Sequence, residues 1–91
     1  MNPSPLPPAS HSPAETQFSL CIDDAQSVLD YTLAPGRMVI THTFVPPQLR
    51  GRGIAEALMK AAVAFAQAEK LTIDPVCSYA ARYLERHPVR T

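Results

Sequence analysis

One short segment limits what this 91-residue chain can become: Gln48-Leu49-Arg50-Gly51-Arg52-Gly53-Ile54-Ala55. It follows the β-branched, apolar stretch 38–45 and runs directly into a long alanine-rich stretch with helical periodicity. A strand, a glycine turn and a helix start, in that order, make an anion site. Glycine lets the backbone turn tightly and lets a ligand approach closely. The first N–H groups of a helix have no internal partner and stand at the positive end of its dipole. Arg50 and Arg52 add side-chain charge at the same point. These features select a phosphorylated ligand.

What the loop lacks narrows that ligand. No Gly-Lys-Ser/Thr follows, so no lysine reaches a terminal phosphate and no hydroxyl is offered to magnesium, which excludes the common nucleotide triphosphatase arrangement. The three-glycine spacing of a dinucleotide-binding turn is missing too. Glu69, at about the distance where such a fold places its ribose carboxylate, belongs to the same helix as the loop. A pyrophosphate held by backbone amides without a metal remains, alongside the simpler alternative of a turn that only caps its helix.

The flanks decide between these. Thr43-Phe44-Val45-Pro46-Pro47 leads into the loop, and Gln48, Gly51 and Gly53 fill the positions of a Gln/Arg-x-x-Gly-x-Gly/Ala pattern. The segment resembles the acetyl-CoA-binding motif of the GNAT superfamily of N-acetyltransferases. Downstream, Pro75-Val76-Cys77-Ser78-Tyr79, Arg82-Tyr83 and Arg86-His87-Pro88, with the earlier pair His42-Thr43, resemble a compact single-domain branch of that superfamily. The resemblance runs over about residues 17 to 88.

Composition agrees with one small domain. Half of the ten prolines (Pro3, Pro5, Pro7, Pro8 and Pro13) fall in the first sixteen residues, with Ser4, Ser10 and Ser12, so 1–16 reads as a disordered Pro/Ser-rich extension and 17–91 as the domain. No apolar run is long enough for a signal peptide or a membrane span, and the expected location is cytoplasmic. The folding part supplies one modest core with little margin, so a bound cofactor or a homodimer partner is expected to contribute to stability. A net charge of zero conceals a split: Glu15, Asp23, Asp24 and Asp30 against Arg37 in residues 1–49, and Arg50, Arg52, Lys60, Lys70, Arg82, Arg86 and Arg90 against Glu56, Glu69, Asp74 and Glu85 thereafter. The positive half carries the phosphate loop, as a polyanionic ligand requires. No basic stripe with interleaved aromatics points to nucleic acid. Cys21 and Cys77 form neither a zinc spacing nor a disulfide framework, and no metal is expected.

Alternation and turn chemistry give an α+β layout. Phe18, Leu20 and Ile22 mark a first strand, Asp23-Asp24 a turn, and Leu29, Tyr31 and Leu33 one side of a second strand over 28–33. Ala34-Pro35-Gly36-Arg37 closes a hairpin. The third strand, 38–45, places Met38, Ile40, His42 and Phe44 on one face and Val39, Thr41, Thr43 and Val45 on the other. Pro46-Pro47 stops it. A helix over about 52–69 presents Ile54, Leu58, Ala62 and Phe65 to the sheet, with Glu56 and Lys60 paired outside. A short strand (71–76) and a second helix (78–86, with Tyr79 and Tyr83 on one side and ended by Pro88) complete a mixed, mainly antiparallel sheet with a long helix after its third strand.

The resemblance attaches chemistry to this layout. It implies that the strand before the loop and the strand after the long helix splay apart to admit the pantetheine arm of acetyl-CoA. The backbone of Thr43, Phe44 and Val45 would pair with that arm, while amides of Leu49, Arg50, Gly51, Arg52, Gly53, Ile54 and Ala55 hold the pyrophosphate. The thioester would then lie near Cys77, and an amine acceptor would attack it directly, with acceleration from positioning and from backbone donors. Many members carry asparagine where Cys77 stands and a proton-donating tyrosine seven residues later; here that later position is Leu84, so Tyr79 or Tyr83 would substitute only with the helix rotated.

From the residues themselves, Cys77 opens a helix whose N-terminus lowers a thiol pKa, which suits contact with the cofactor sulfur, an acyl relay, or simply a small apolar filler. His42 is a candidate base or a packed strand histidine. Arg82 is free to meet the adenosine phosphates or an acidic substrate, or to pair with Asp74 or Glu85. His87 suits a helix C-terminus, and His11 falls in the extension. Two functions remain open: an acyl-CoA-dependent N-acetyltransferase acting on a primary amine of a small molecule or a protein lysine, and a non-catalytic acyl-CoA-binding module. Larger members of the superfamily place helical structure between their first two strands. Here only Asp23-Asp24-Ala25 separates them, so the acceptor side is expected to be open.

Overall fold

The computed structural model describes residues 7–87. Pro3, Ser4 and Pro5 of the expected extension, and Pro88 and Arg90 at the other end, lie outside the described residues. The elements run β1 (Ser10–Ser12), β2 (Gln17–Ile22), β3 (Ala25–Ala34), β4 (Arg37–Phe44), a 3-10 turn (Pro47–Leu49), α1 (Ile54–Ala68), β5 (Thr72–Pro75) and α2 (Ser78–Arg86). They form one five-stranded sheet in chain order, antiparallel from β1 to β4 and parallel between β4 and β5. This is the mixed α+β arrangement the patterning predicts.

Both helices pack into one core. Ile54, Leu58, Met59, Ala62 and Ala66 of α1 and Ala80 and Tyr83 of α2 meet Phe18, Leu20, Leu29, Tyr31, Met38 and Ile40 of the sheet. The other sheet face carries no helix among the described residues. The outer pair Glu56–Lys60 forms at 3.5 Å, as its spacing predicts. Where α1 ends, Lys70 takes a left-handed φ of 58°, and Leu71 N–H bonds the Ala66 carbonyl at 2.7 Å, closing a Schellman motif without its usual glycine.

Residues 10–12 correct the expectation of an extension up to residue 16. Ser10, His11 and Ser12 pair with Ser19, Phe18 and Gln17. His11 stacks on Phe18 with ring centroids 4.1 Å apart, meets Phe65 edge-on at 4.6 Å, and its Nε2 lies 2.6 Å from the Tyr31 hydroxyl. A three-residue strand has no periodicity to read; one aromatic side chain docks it instead. Phe65 accordingly packs here, at the margin of the core.

A second correction governs the site. In the β3–β4 ladder Asp30 opposes His42 but Tyr31 opposes Ile40, so Thr41 is an extra residue, a β-bulge. Strict alternation puts Met38, Ile40, His42 and Phe44 on one face. The bulge reverses the phase after Ile40. Thr43, opposite the fully buried Leu29, joins the helix-covered face, while His42 and Phe44, opposite Asp30 and Val28, turn to the helix-free face. Leu33 also departs from its expected place: it is 55% exposed, near the end of β3 and outside the core.

The strands around the loop do splay. The β4–β5 ladder ends at Ile40↔Pro75. Pro75 has no N–H to continue it. The amides of Val76 and Cys77 both turn back to the Ile40 carbonyl, at 3.1 and 2.9 Å, and the chain leaves into α2. Residues 41–45 therefore present an edge with no strand beside it on that side.

Candidate functional site

The glycine-loop end of the candidate site is made of backbone. Arg50 N–H bonds the Pro47 carbonyl at 3.3 Å to close the 3-10 turn, and Arg50 Nε donates to the Val45 carbonyl at 3.2 Å, tying the loop to the end of β4. Gly51 and Gly53 then take φ of 85° and 78°. A Cβ at either would meet no atom within 4 Å, so the glycines answer to the left-handed backbone and not to crowding. Gly53 caps α1 with no side-chain bond, and its carbonyl receives the Ala57 amide at 3.0 Å. The amides of Ile54, Ala55 and Glu56 have no backbone acceptor among the described residues, and they point out of the helix's positive end.

These groups open on a cleft of about 250 Å³ lined by Val45, Leu49, Arg50, Gly51, Gly53, Ile54 and Ala55, all expected from the sequence, together with Glu56 and Tyr79. Gln48 and Arg52 are exposed and outside its wall. In the sequence, the spacing of Glu56 to Lys60 marks it only as half of a surface pair and not as a cleft residue. Position three of a helix is where a side chain reaches back over the N-terminus, and that was the available signal.

The end where β4 and β5 part is made of side chains. Cys77 is the N-cap of α2, and its thiol donates to the Thr43 hydroxyl at 3.6 Å across the mouth of the splay. Burial pushes the Cys77 thiol up, but the Ala80 amide, the Thr43 hydroxyl and the Tyr79 and Thr43 backbones favour the thiolate and together hold it below the usual thiol value. Its position at a helix N-terminus was the sequence's reason to expect this. Tyr79, two residues on, reaches the cleft wall; burial first, and then the Glu56 carboxylate, push its phenol up, so it stays a neutral donor.

The other candidates scatter. Tyr83 is 9% exposed, packed in the core and against His87 at 4.6 Å between rings; burial pushes its phenol up too. Leu84 is half-buried against the core. His42 stands exposed on the helix-free face, as does the Phe44 side chain, leaving Phe44 only its backbone for the strand edge. Arg82 is exposed on α2 and makes neither anticipated ion pair; Asp74 instead binds Arg37 at 3.2 Å. Among the described residues there is no metal-binding cluster, and no helix is long and apolar enough to cross a membrane. Cys21 and Cys77 are free thiols.

A bulged β4, a splayed parallel partner and a glycine-turned helix N-terminus between them define an acetyltransferase-type fold. Residues 17–90 match the family model described as GCN5-related N-acetyltransferase, and the chain belongs to that family. It is 34% identical to protein NATD1 of Xenopus tropicalis over 98% of this chain and 84% of that one. Two solved structures share the fold: an integron cassette protein from the mobile metagenome of V. cholerae (TM-score 0.58, 18% identity, 82% of this chain and 54% of that one) and an acetyltransferase of Trypanosoma brucei (TM-score 0.55, 16% identity, 86% of this chain and 65% of that one).

Proposed function

We propose that the protein is an acyl-CoA-dependent N-acetyltransferase acting on a primary amine. The observation that carries this reading is the cleft at the start of α1, where the free amides of residues 54–56 face a wall that includes Tyr79 of α2, two residues along from the Cys77 whose thiol meets Thr43. Such an arrangement suits a ligand that is anionic at one end and reactive at the other. The residues present fit acetyl-CoA: amide donors and Arg50 for a pyrophosphate, an unpaired strand edge over residues 41–45 for an amide-bearing arm, and a protic pair at the far end. When bound, acetyl-CoA would supply the activated acyl group for transfer to the amine.

The chain's part is positional and protic. The amides at the start of α1 neutralise phosphate charge at no reorganisation cost, because the fold already aims them. Arg50 braces the loop through Val45 and keeps its remaining guanidinium N–H groups for the anion. Thr43 and Cys77 hold the reactive end in register with the strand. Cys77 holds a proton at Sγ that would be available to a leaving thiolate. Tyr79 supplies a second neutral donor on the cleft wall.

The alternative, a non-catalytic acyl-CoA-binding module, draws on one observation: Leu84 packs against the core, so no phenol arises from the position where relatives of the superfamily supply one. Thiol release from acetyl-CoA, measured across a panel of amines and lysine peptides for the wild type, Cys77→Ala and Cys77→Ser, separates the two. Amine-dependent thiol release that falls in Cys77→Ala supports the enzyme. Tight CoA binding with no thiol released by any amine establishes the binding module.

A further inference from the structure

The helix-free face around the splay has a composition that bears on the acceptor. The described residues place α1 and α2 on one side of the sheet, and Thr43, in contact with Cys77, belongs to that side. The other side of the sheet carries no helix among the described residues, which leaves it open to a nucleophile approaching the gap. Of the exposed large hydrophobic residues of the described chain, two flank the gap: Phe44 on β4, on that side (44% exposed), and Val76 just beyond β5 (64% exposed); Leu33, opposite the core residue Met38, belongs to the helix-covered face. The turn Asp23-Asp24 joins β2 to β3 directly, and both aspartates take positive φ, so no segment between those strands walls this face.

One carboxylate on this face is uncommitted to a cation. Asp74 is matched by Arg37 at 3.2 Å. Asp30 lies one strand in from the gap, directly across from His42 and beside the Val28–Phe44 pair. Its Oδ1 accepts the Gln17 side-chain amide at 2.8 Å, which fixes the carboxylate, and no Lys, Arg or His pairs with it among the described residues. The chain's acidic residues divide evenly between residues 1–49 and 50–91, but all lysines and arginines except Arg37 fall in the second half, which leaves the half that contains Asp30 net negative and the half with the glycine loop net positive. The charge pattern suits an anionic donor at one end and a cationic acceptor at the other.

On the acyltransferase reading, we infer that the acceptor is a dicationic alkylamine whose stem lies between Phe44 and Val76 and whose second, non-reacting ammonium is held by Asp30. The reacting amine must be neutral to attack, so discrimination by charge falls on the second nitrogen. Adjacent strands are about 4.8 Å apart, which requires a spacer of several methylenes between the two nitrogens. The exposed Phe44 ring is also of the kind that attracts an ammonium. Small diamines and a lysine beside a second lysine share this chemistry.

The test compares butylamine, 1,4-diaminobutane, 1,6-diaminohexane, and capped peptides with one lysine or two adjacent lysines, each with saturating acetyl-CoA and the full chain. The expected result is a kcat/KM about fivefold higher for dicationic than for monocationic acceptors, the effect of one exposed charge pair. In Asp30→Asn, which keeps an oxygen for Gln17, that preference collapses toward unity. Phe44→Ser raises KM for monoamine and diamine alike. The diamine and two-lysine arms identify the source of the second charge. Equal rates for mono- and dicationic acceptors in the wild type, or a preference that survives Asp30→Asn, overturn the proposal. If no amine releases thiol, the acyltransferase reading fails separately, and calorimetry of 1,6-diaminohexane on CoA-loaded protein still decides the site. Binding that weakens in Asp30→Asn supports it; no binding, or binding indifferent to Asp30, overturns it.

Discussion

At one end of the candidate site the available groups are peptide amides held by two left-handed glycines, whereas at the other they are a thiol and a hydroxyl that meet from α2 and β4, with the Tyr79 phenol on the cleft wall nearby. The first end depends on backbone shape and tolerates changes in most side chains. The second depends on which way each side chain points, and one extra residue at Thr41 sets that. Binding and chemistry should therefore separate under mutation.

The largest effect is expected where backbone shape is lost. Gly53→Val forces a β-branched residue to φ near 78°, at a cost of about 1–3 kcal/mol in backbone strain, and places methyl groups in the cleft. CoA affinity should fall about hundredfold, seen by calorimetry or by loss of any CoA-dependent rise in Tm. Unchanged affinity would mean that the loop only caps its helix.

At the other end, Cys77→Ala should leave CoA affinity within about twofold and lower the amine-dependent rate about hundredfold, the scale of a lost proton donor. The pH profile sharpens this. As a proton donor, Cys77 works only while protonated, so the rate should fall as pH rises through its lowered pKa, and Cys77→Ser should move that alkaline limb upward. A covalent relay needs the thiolate, so its rate would instead rise through the same pKa. In a Cys21→Ser background, iodoacetamide should alkylate Cys77 with a midpoint below that of a thiol in the unfolded chain.

Away from both ends the two activities should not separate at all. His11→Ala removes a stacked ring and a hydrogen bond to Tyr31, worth together about 2 kcal/mol, and should lower Tm by about 10 °C with CoA affinity unchanged. Lys70→Gly relieves a left-handed residue at the end of α1 and should add about 1 kcal/mol, raising Tm by about 5 °C.

The same contrast explains what could be read from the residues alone. Glycines before a helix announce the phosphate end because few other residues adopt that backbone. The α1 stripe from Ile54 through Ala62 and the bounds of α2 follow from periodicity. The faces of His42, Thr43 and Phe44 did not follow, since a bulge leaves no mark in the hydrophobic pattern of residues 38–45 and inverts everything after it. Nor did β1, whose serines carry no pattern and whose anchor, His11, finds its partners only in the folded sheet. Cys77 was legible as a helix cap, but its Thr43 partner, 34 residues away, was visible only through the resemblance.

The account stands most directly on the amides at the start of α1. Backbone amide NMR shifts during a titration with CoA read them one by one. The predicted result is saturable shifts concentrated at Gly51, Gly53, Ile54, Ala55 and Glu56, absent from Gly53→Val and retained in Cys77→Ala. No saturable shifts there, or shifts confined to other parts of the sheet, would contradict it.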